Sequence, residues 1–133
     1  MARRTITLAA LAVAIAALSV AGAWAASDSV RLSGPSRVKP GHRLTITLSA
    51  TPSKATRLAV YDAPAPCARI AESELGRNGV VQVSNRAVSH PVTLRLKLPA
   101  ASRGTHHACA YLFHRAYDNL ITDARASLRY VAK

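Results

Sequence analysis

Beyond residue 26 the large apolar residues alternate with polar ones at a period of two, not at the 3.6 of a helix. Val30 and Leu32 alternate with Arg31 and Ser33, which predicts a short first strand. Over residues 42–49, Leu44, Ile46 and Leu48 face one way and Arg43, Thr45 and Thr47 the other, so a second strand is predicted there. Residues 56–61 give a third, with Leu58 and Val60 inward, ended by Asp62-Ala63-Pro64-Ala65-Pro66. Residues 80–83 give a fourth, after the hairpin-type pair Asn78-Gly79. Strict alternation of Val92, Leu94, Leu96 and Leu98 marks the fifth. Residues 104–114 form the sixth and residues 124–131 the seventh, the latter with Ala126, Leu128 and Tyr130 on one face. Asp118-Asn119 and Asp123 read as the loop between them. The stretch Ala68–Leu75 is ambiguous, because Ile70 and Leu75 are its only large apolar residues.

Gly34-Pro35, Pro40-Gly41 and Thr51-Pro52-Ser53 supply turn signals between these segments. About seven short strands with turns at intervals of roughly 10–14 residues predict an all-β chain folded as one antiparallel sandwich. There is no internal repeat and no shift in composition to suggest a second domain.

The first 25 residues follow a different pattern. Arg3 and Arg4 precede an apolar, alanine-rich run from Ile6 to about Ala21, and Ala23-Trp24-Ala25 offers the small-x-small pattern of a signal-peptidase site. The run is short for a membrane span, which needs roughly 20 strongly apolar residues. Residues 1–25 are therefore expected to be a cleaved secretory signal and residues 26–133 the working domain. No transmembrane segment is expected after its removal. Export would leave 12 Arg and 4 Lys against 6 acidic residues, a net charge of +10.

The run Val38-x-Pro40-Gly41-x-x-Leu44-x-Ile46-x-Leu48 and the tetrapeptide Cys109-Ala110-Tyr111-Leu112, in this order of strands, resemble bacterial immunoglobulin-like (Ig-like) domains. More narrowly, the chain is similar to Arg-rich secreted Ig-like proteins of GC-rich bacteria. The resemblance spans residues 30–132 and implies a fold, not a function. The chain departs from antibody-type domains in lacking a Trp on the third strand and a Cys on the second.

In the Ig-like order that the resemblance implies, the third strand ends at the pole where the sixth begins. That order brings Cys67 and Cys109, the only cysteines, together as a structural disulfide, as suits an oxidising compartment. The alternative, a reactive or metal-binding thiol, lacks a C-x-x-C motif or a resolving partner.

Five histidines invite a metal reading. The Ig-like order gathers His42, His106 and His107 at one pole, and puts His90 and His114 near the other. Imidazoles at one pole suit Cu(II) or Zn(II). A sharper variant uses Cys109 and His114, spaced C-x4-H, with His42, as in copper sandwiches. Against it stand the absence of any methionine after Met1 and the stranding of Cys67. Adjacent His106 and His107 also point to opposite faces of one strand. No metal and no other cofactor is expected.

The basic charge favours anionic polymers such as cell-wall phosphates, acidic glycans or anionic lipid. Its members are scattered: Arg43, Arg95 and Lys97 face outward on one sheet and Arg57, Arg125 and Arg129 on the other. There is no basic run of the kind that marks a dedicated patch, and few aromatic residues are left to stack on bases. Sequence-specific nucleic-acid recognition is not expected.

Glu72 and Glu74 alternate onto one strand face and formally make a carboxylate pair, but no G-x-S-x-G, H-E-x-x-H or phosphate-cradling loop is present. Catalysis is not expected. The sequence thus reads as a secreted or cell-surface, non-catalytic Ig-like binding or surface-interaction module whose partner is unknown. The alternatives are an extracellular or periplasmic copper or zinc binding protein using strand-end histidines, and an electrostatic adhesin for anionic cell-surface polymers.

Overall fold

The alternating segments pair into two sheets facing one another across a largely apolar interior. The computed structural model describes residues 27–133; the expected export signal over residues 1–25 lies outside the described residues. Eight strands are described: β1 (Ser29–Ser33), β2 (Arg37–Val38), β3 (Thr45–Thr51), β4 (Thr56–Ala63), β5 (Val81–Val88), β6 (Val92–Lys97), β7 (Gly104–Ala116) and β8 (Asn119–Ala132). One short helix, α1 (Ala71–Leu75), interrupts them. The sheets run β1-β3-β6 and β2-β8-β7-β4-β5. Neighbouring strands are antiparallel, apart from β2, which lies parallel to the end of β8. This is an all-β, Ig-like sandwich.

The interior follows the predicted alternation. Leu44, Ile46 and Leu48 from the β3 segment, Leu58 and Val60 from β4, Ala110 and Leu112 from β7, and Tyr130 from β8 are buried between the sheets. Each fully buried Leu or Ile contributes about 1.5–3 kcal/mol by leaving water. The extra strand, β2, arises because the chain changes sheets after β1. It passes over β3 at Gly34, where a Cβ would meet Ile46 Cγ2 at 3.1 Å. The predicted second strand starts at His42, whereas β3 starts at Thr45. Residues 41–44 still bond to the β6 side, through Leu98 N–H to the Leu44 carbonyl (2.8 Å) and Ala101 N–H to the His42 carbonyl (3.1 Å).

Two regions differ from the sequence reading. The residues expected to be a loop around Asp118–Asp123 belong instead to a long hairpin, with β7 and β8 paired as far as Ala116 and Asn119. Its register shifts between Leu112 and Phe113, which leaves Asp123 as the extra residue of a bulge. The second region is the connection from β4 to β5. It folds back over the outer face of the five-stranded sheet and carries α1, so β4 is buried on both faces and not on one. Ala59, Tyr61 and Ala63 on β4, with Cys109, Tyr111 and Phe113 on β7, form a second apolar layer beneath Ala71 and Cys67.

Glu72 and Glu74 are therefore not a pair on a strand face. They lie on one helical turn, with Glu72 exposed and Glu74 fully buried.

Candidate functional site

The covering connection is held by one covalent bond and one polar knot. Cys67 is disulfide-bonded to Cys109, with their Cα atoms 5.7 Å apart. Beside the bond, the carboxylate of Glu74 accepts from the Ala68 amide (2.5 Å) and from Arg77 Nη1 (2.9 and 3.1 Å). The Tyr111 hydroxyl shares its proton between Glu74 Oε2 (2.7 Å) and the Ala68 carbonyl (2.6 Å). Burial, followed by the bond to Glu74, pushes the Tyr111 phenol well above its usual range. Thr122 on β8 completes the attachment by accepting the Ala71 amide at 3.0 Å.

Where this cover stops, a cleft opens over β7 and β8. Its volume is about 570 Å³, and its lining includes Pro66, Cys67, His107, Tyr111, Arg125, Ser127 and Arg129. The lining follows from pleat and register. Ala126, Leu128 and Tyr130 turn inward, so Arg125, Ser127 and Arg129 project from the outer face. Across the ladder, Arg129 stands opposite His107, Ser127 opposite Cys109 and Arg125 opposite Tyr111. Pro66 and the disulfide form one wall, and the exposed stretch of β8 forms the other.

The cleft is electropositive. Among the described residues no carboxylate lines it and no ion pair engages Arg125 or Arg129. Partial burial first, then the positive charges of Arg129, Arg77 and His106, hold the His107 imidazole below its ordinary value; Asp62 opposes them.

The other ionisable groups are tied into the scaffold. Asp62, next to the last residue of β4, turns inside the sandwich, where its Oδ1 accepts the Tyr130 hydroxyl at 2.6 Å and its Oδ2 lies 3.7 Å from His106 Nδ1. His106 stacks on Tyr130 with ring centroids 5.1 Å apart, and its Nε2 meets the Ser102 carbonyl at 2.6 Å. Desolvation raises the Asp62 carboxyl above its usual value, against the pull of Tyr130, His106 and His107. At the other end of the hairpin, the bulged Asp123 reaches His114 Nδ1 at 2.7 Å.

The histidines do not converge. His106 points between the sheets and His107 into the cleft, as adjacent strand residues must. His42 and His90 are exposed, and His114 is bound to Asp123. The bond to Cys67 occupies the Cys109 sulfur that the copper-thiolate variant would need. Among the described residues, no three His, Cys, Asp or Glu side chains gather in a metal-holding group. Arg43, expected as an outward cation, spends its guanidinium on the Leu98 and Lys97 carbonyls at 2.9 and 3.3 Å.

The grouping of His107 and Ser127 with Arg125 and Arg129 had a sequence signal. Arg125-x-Ser127-x-Arg129 is the polar complement of Ala126-x-Leu128-x-Tyr130. The cleft itself had none, because its wall comes from the distant Pro66–Cys67 segment.

No protein-family model and no curated protein matches the chain. Solved structures do. The CARDB domain of a Pyrococcus furiosus protein, solved in complex with di-metal ions, superposes with a TM-score of 0.54 at 12% identity over 80% of this chain and 88% of that one. The sulfur carrier protein SoxY from Chlorobium limicola gives 0.48 at 15% identity over 88% of this chain and 94% of that one. A superoxide reductase from Ignicoccus hospitalis gives 0.45 at 17% identity over 87% of each chain. At these identities the likeness is one of fold: the chain shares the Ig-like sandwich of the CARDB domain.

Proposed function

We propose that the chain is an extracytoplasmic, non-catalytic Ig-like binding module that receives its ligand in the cleft between the Pro66–Cys67 wall and β8. The observation that carries this reading is the cleft itself. Its volume lies in the range of ligand sites, and a disulfide fixes the backbone of one of its walls. The disulfide also favours an oxidising compartment, in keeping with the signal-like residues 1–25. Among the described residues, no helix is long and apolar enough to cross a membrane.

The non-catalytic part of the reading rests on how the acids are used. Glu74, Asp62 and Asp123 are each committed to a structural partner, and none lines the cleft. His107 and Ser127 share the cleft, but Ser127 faces Cys109 across the ladder and no carboxylate orients the imidazole.

Ser127→Trp fills the cleft at an exposed position without altering charge. The purified protein is expected to co-sediment with isolated bacterial cell envelopes, and the S127W variant to remain in solution. Equal co-sedimentation of the two would overturn the assignment of binding to this cleft.

A further inference from the structure

Resting on that reading of the cleft, we infer that its ligand is an extended polyanion that places oxyanion groups, phosphate or carboxylate, on Arg125 and Arg129 together. Both guanidiniums project from one strand face, both are exposed, and neither is neutralised by a carboxylate among the described residues. Several other cations are engaged within the protein. Arg77 is bound to Glu74, Arg43 to two carbonyls and Arg57 to Asn85. The planar guanidinium is the side chain best matched to phosphate and carboxylate, because it can offer two parallel N–H donors.

Spacing decides for an extended ligand over a single ion. Four residues along a strand put the Arg125 and Arg129 backbones about 13 Å apart, with Ser127 midway on the same face. The cleft volume also far exceeds what one bare oxyanion fills. A chain of linked anions satisfies both guanidiniums and can take a hydrogen bond from the Ser127 hydroxyl between them. A partner read through its bases fits poorly. Tyr111, the aromatic residue of the lining, is buried, with its hydroxyl committed to Glu74 and Ala68.

His107 lies in the same cleft, its imidazole held toward its neutral form first by burial and then by Arg129 and Arg77. An anion seated at Arg129 would offset that repulsion.

The test uses inorganic tripolyphosphate and, separately, citrate as probes of the purified protein at low ionic strength, read by calorimetry. The wild-type protein is expected to bind tripolyphosphate with an affinity that falls as salt is raised. R125Q/R129Q is expected to lower that affinity by about tenfold or more, while R95Q/K97Q, an equal charge loss on the opposite sheet, changes it less than about twofold. Citrate bound equally well would mark the oxyanion as carboxylate or phosphate alike; citrate bound only weakly would mark it as phosphate. Equal losses in the two double variants, or no loss in either, would overturn the inference. If S127W releases the protein from cell envelopes while R125Q/R129Q does not, the anion inference fails and the cleft assignment stands. If neither variant releases it, both fail.

Discussion

The Tyr111 hydroxyl lies 2.7 Å from Glu74 Oε2, across the outer face of the five-stranded sheet, and the carboxylate it meets has no solvent exposure. This contact joins the sandwich to its cover. One ring away, at a centroid distance of 6.0 Å, Tyr61 is equally buried, but its hydroxyl has no hydrogen-bond partner among the described residues.

The two tyrosines should therefore answer the same substitution with opposite signs. Tyr111→Phe leaves the Ala68 carbonyl and part of Glu74 unsatisfied in a buried place, and should destabilise by about 1–3 kcal/mol. Tyr61→Phe removes an unsatisfied hydroxyl while keeping the ring, and should be neutral or stabilising by up to about 1 kcal/mol. Urea denaturation of both variants checks this. Equal destabilisation would show that the hydroxyls are not distinguished in the way the contacts require.

The Cys67–Cys109 bond closes a separation of 42 residues. In the chain-entropy model such a closure stabilises by about 4 kcal/mol. The C67A/C109A variant should lose roughly that much. It should also exchange the Ala68 and Ala71 amides faster than those of β3, because the bond holds the cover and not the inner core. Hydrogen exchange followed residue by residue measures both effects. Uniform acceleration across the sandwich would contradict this division.

Much of the inner core was legible because it depends on local alternation. Leu44, Ile46, Leu48, Leu58, Val60 and Leu128 point where a period of two puts them, and the Ig-like order pairs Cys67 with Cys109. The cover was not legible, because nothing local holds it. Residues 68–75 have little apolar content, and they stay in place through Glu74 buried against Tyr111 and Arg77 and through a disulfide to a strand 42 residues away. Over residues 56–61 alternation put Leu58 and Val60 inward and could not foresee that Ala59 and Tyr61 would also be covered, because it assigns a face but not whether another segment will lie on it. The Asp-rich stretch near residue 120 read as a loop because Asp favours turns. In the folded chain Asp123 is a bulge residue whose carboxylate is taken by His114.

The interior Asp62 sets a pH dependence. Its carboxyl is raised from the ordinary 3.8, chiefly by desolvation. The folded chain then keeps this proton to higher pH than the unfolded chain, so stability falls as pH rises from about the unfolded value through the folded one. Asp62→Asn keeps an acceptor for Tyr130 and never ionises. The variant should gain on the wild type across that window and hold the advantage above it. Denaturation midpoints compared at a series of acidic pH values check the sign; a constant offset would mean that Asp62 is not the titrating group.

His107 gives the cleft a pH response of its own. Its imidazole is depressed by burial and by Arg129 on β8, Arg77 after α1 and His106 on β7, against Asp62 on β4. A bound anion favours the imidazolium, so binding takes up a proton. Tripolyphosphate takes up protons of its own at about pH 6 and loses charge, so the imidazole is read by comparison. As pH falls from about 8 to about 5, affinity of the wild type should rise relative to that of His107→Gln, which still binds through the arginines. An unchanged slope in the variant would remove His107 from the site.

The most direct measurement is a tripolyphosphate titration of the isotopically labelled protein, followed at the backbone amides and at the arginine Nε–Hε groups. The largest shifts are expected at His107, Ser127, Arg125 and Arg129, saturating together, with Arg31, Arg95 and Lys97 on the three-stranded sheet nearly still. Shifts spread evenly over the basic residues of both sheets would contradict a binding cleft and leave only a diffuse positive surface.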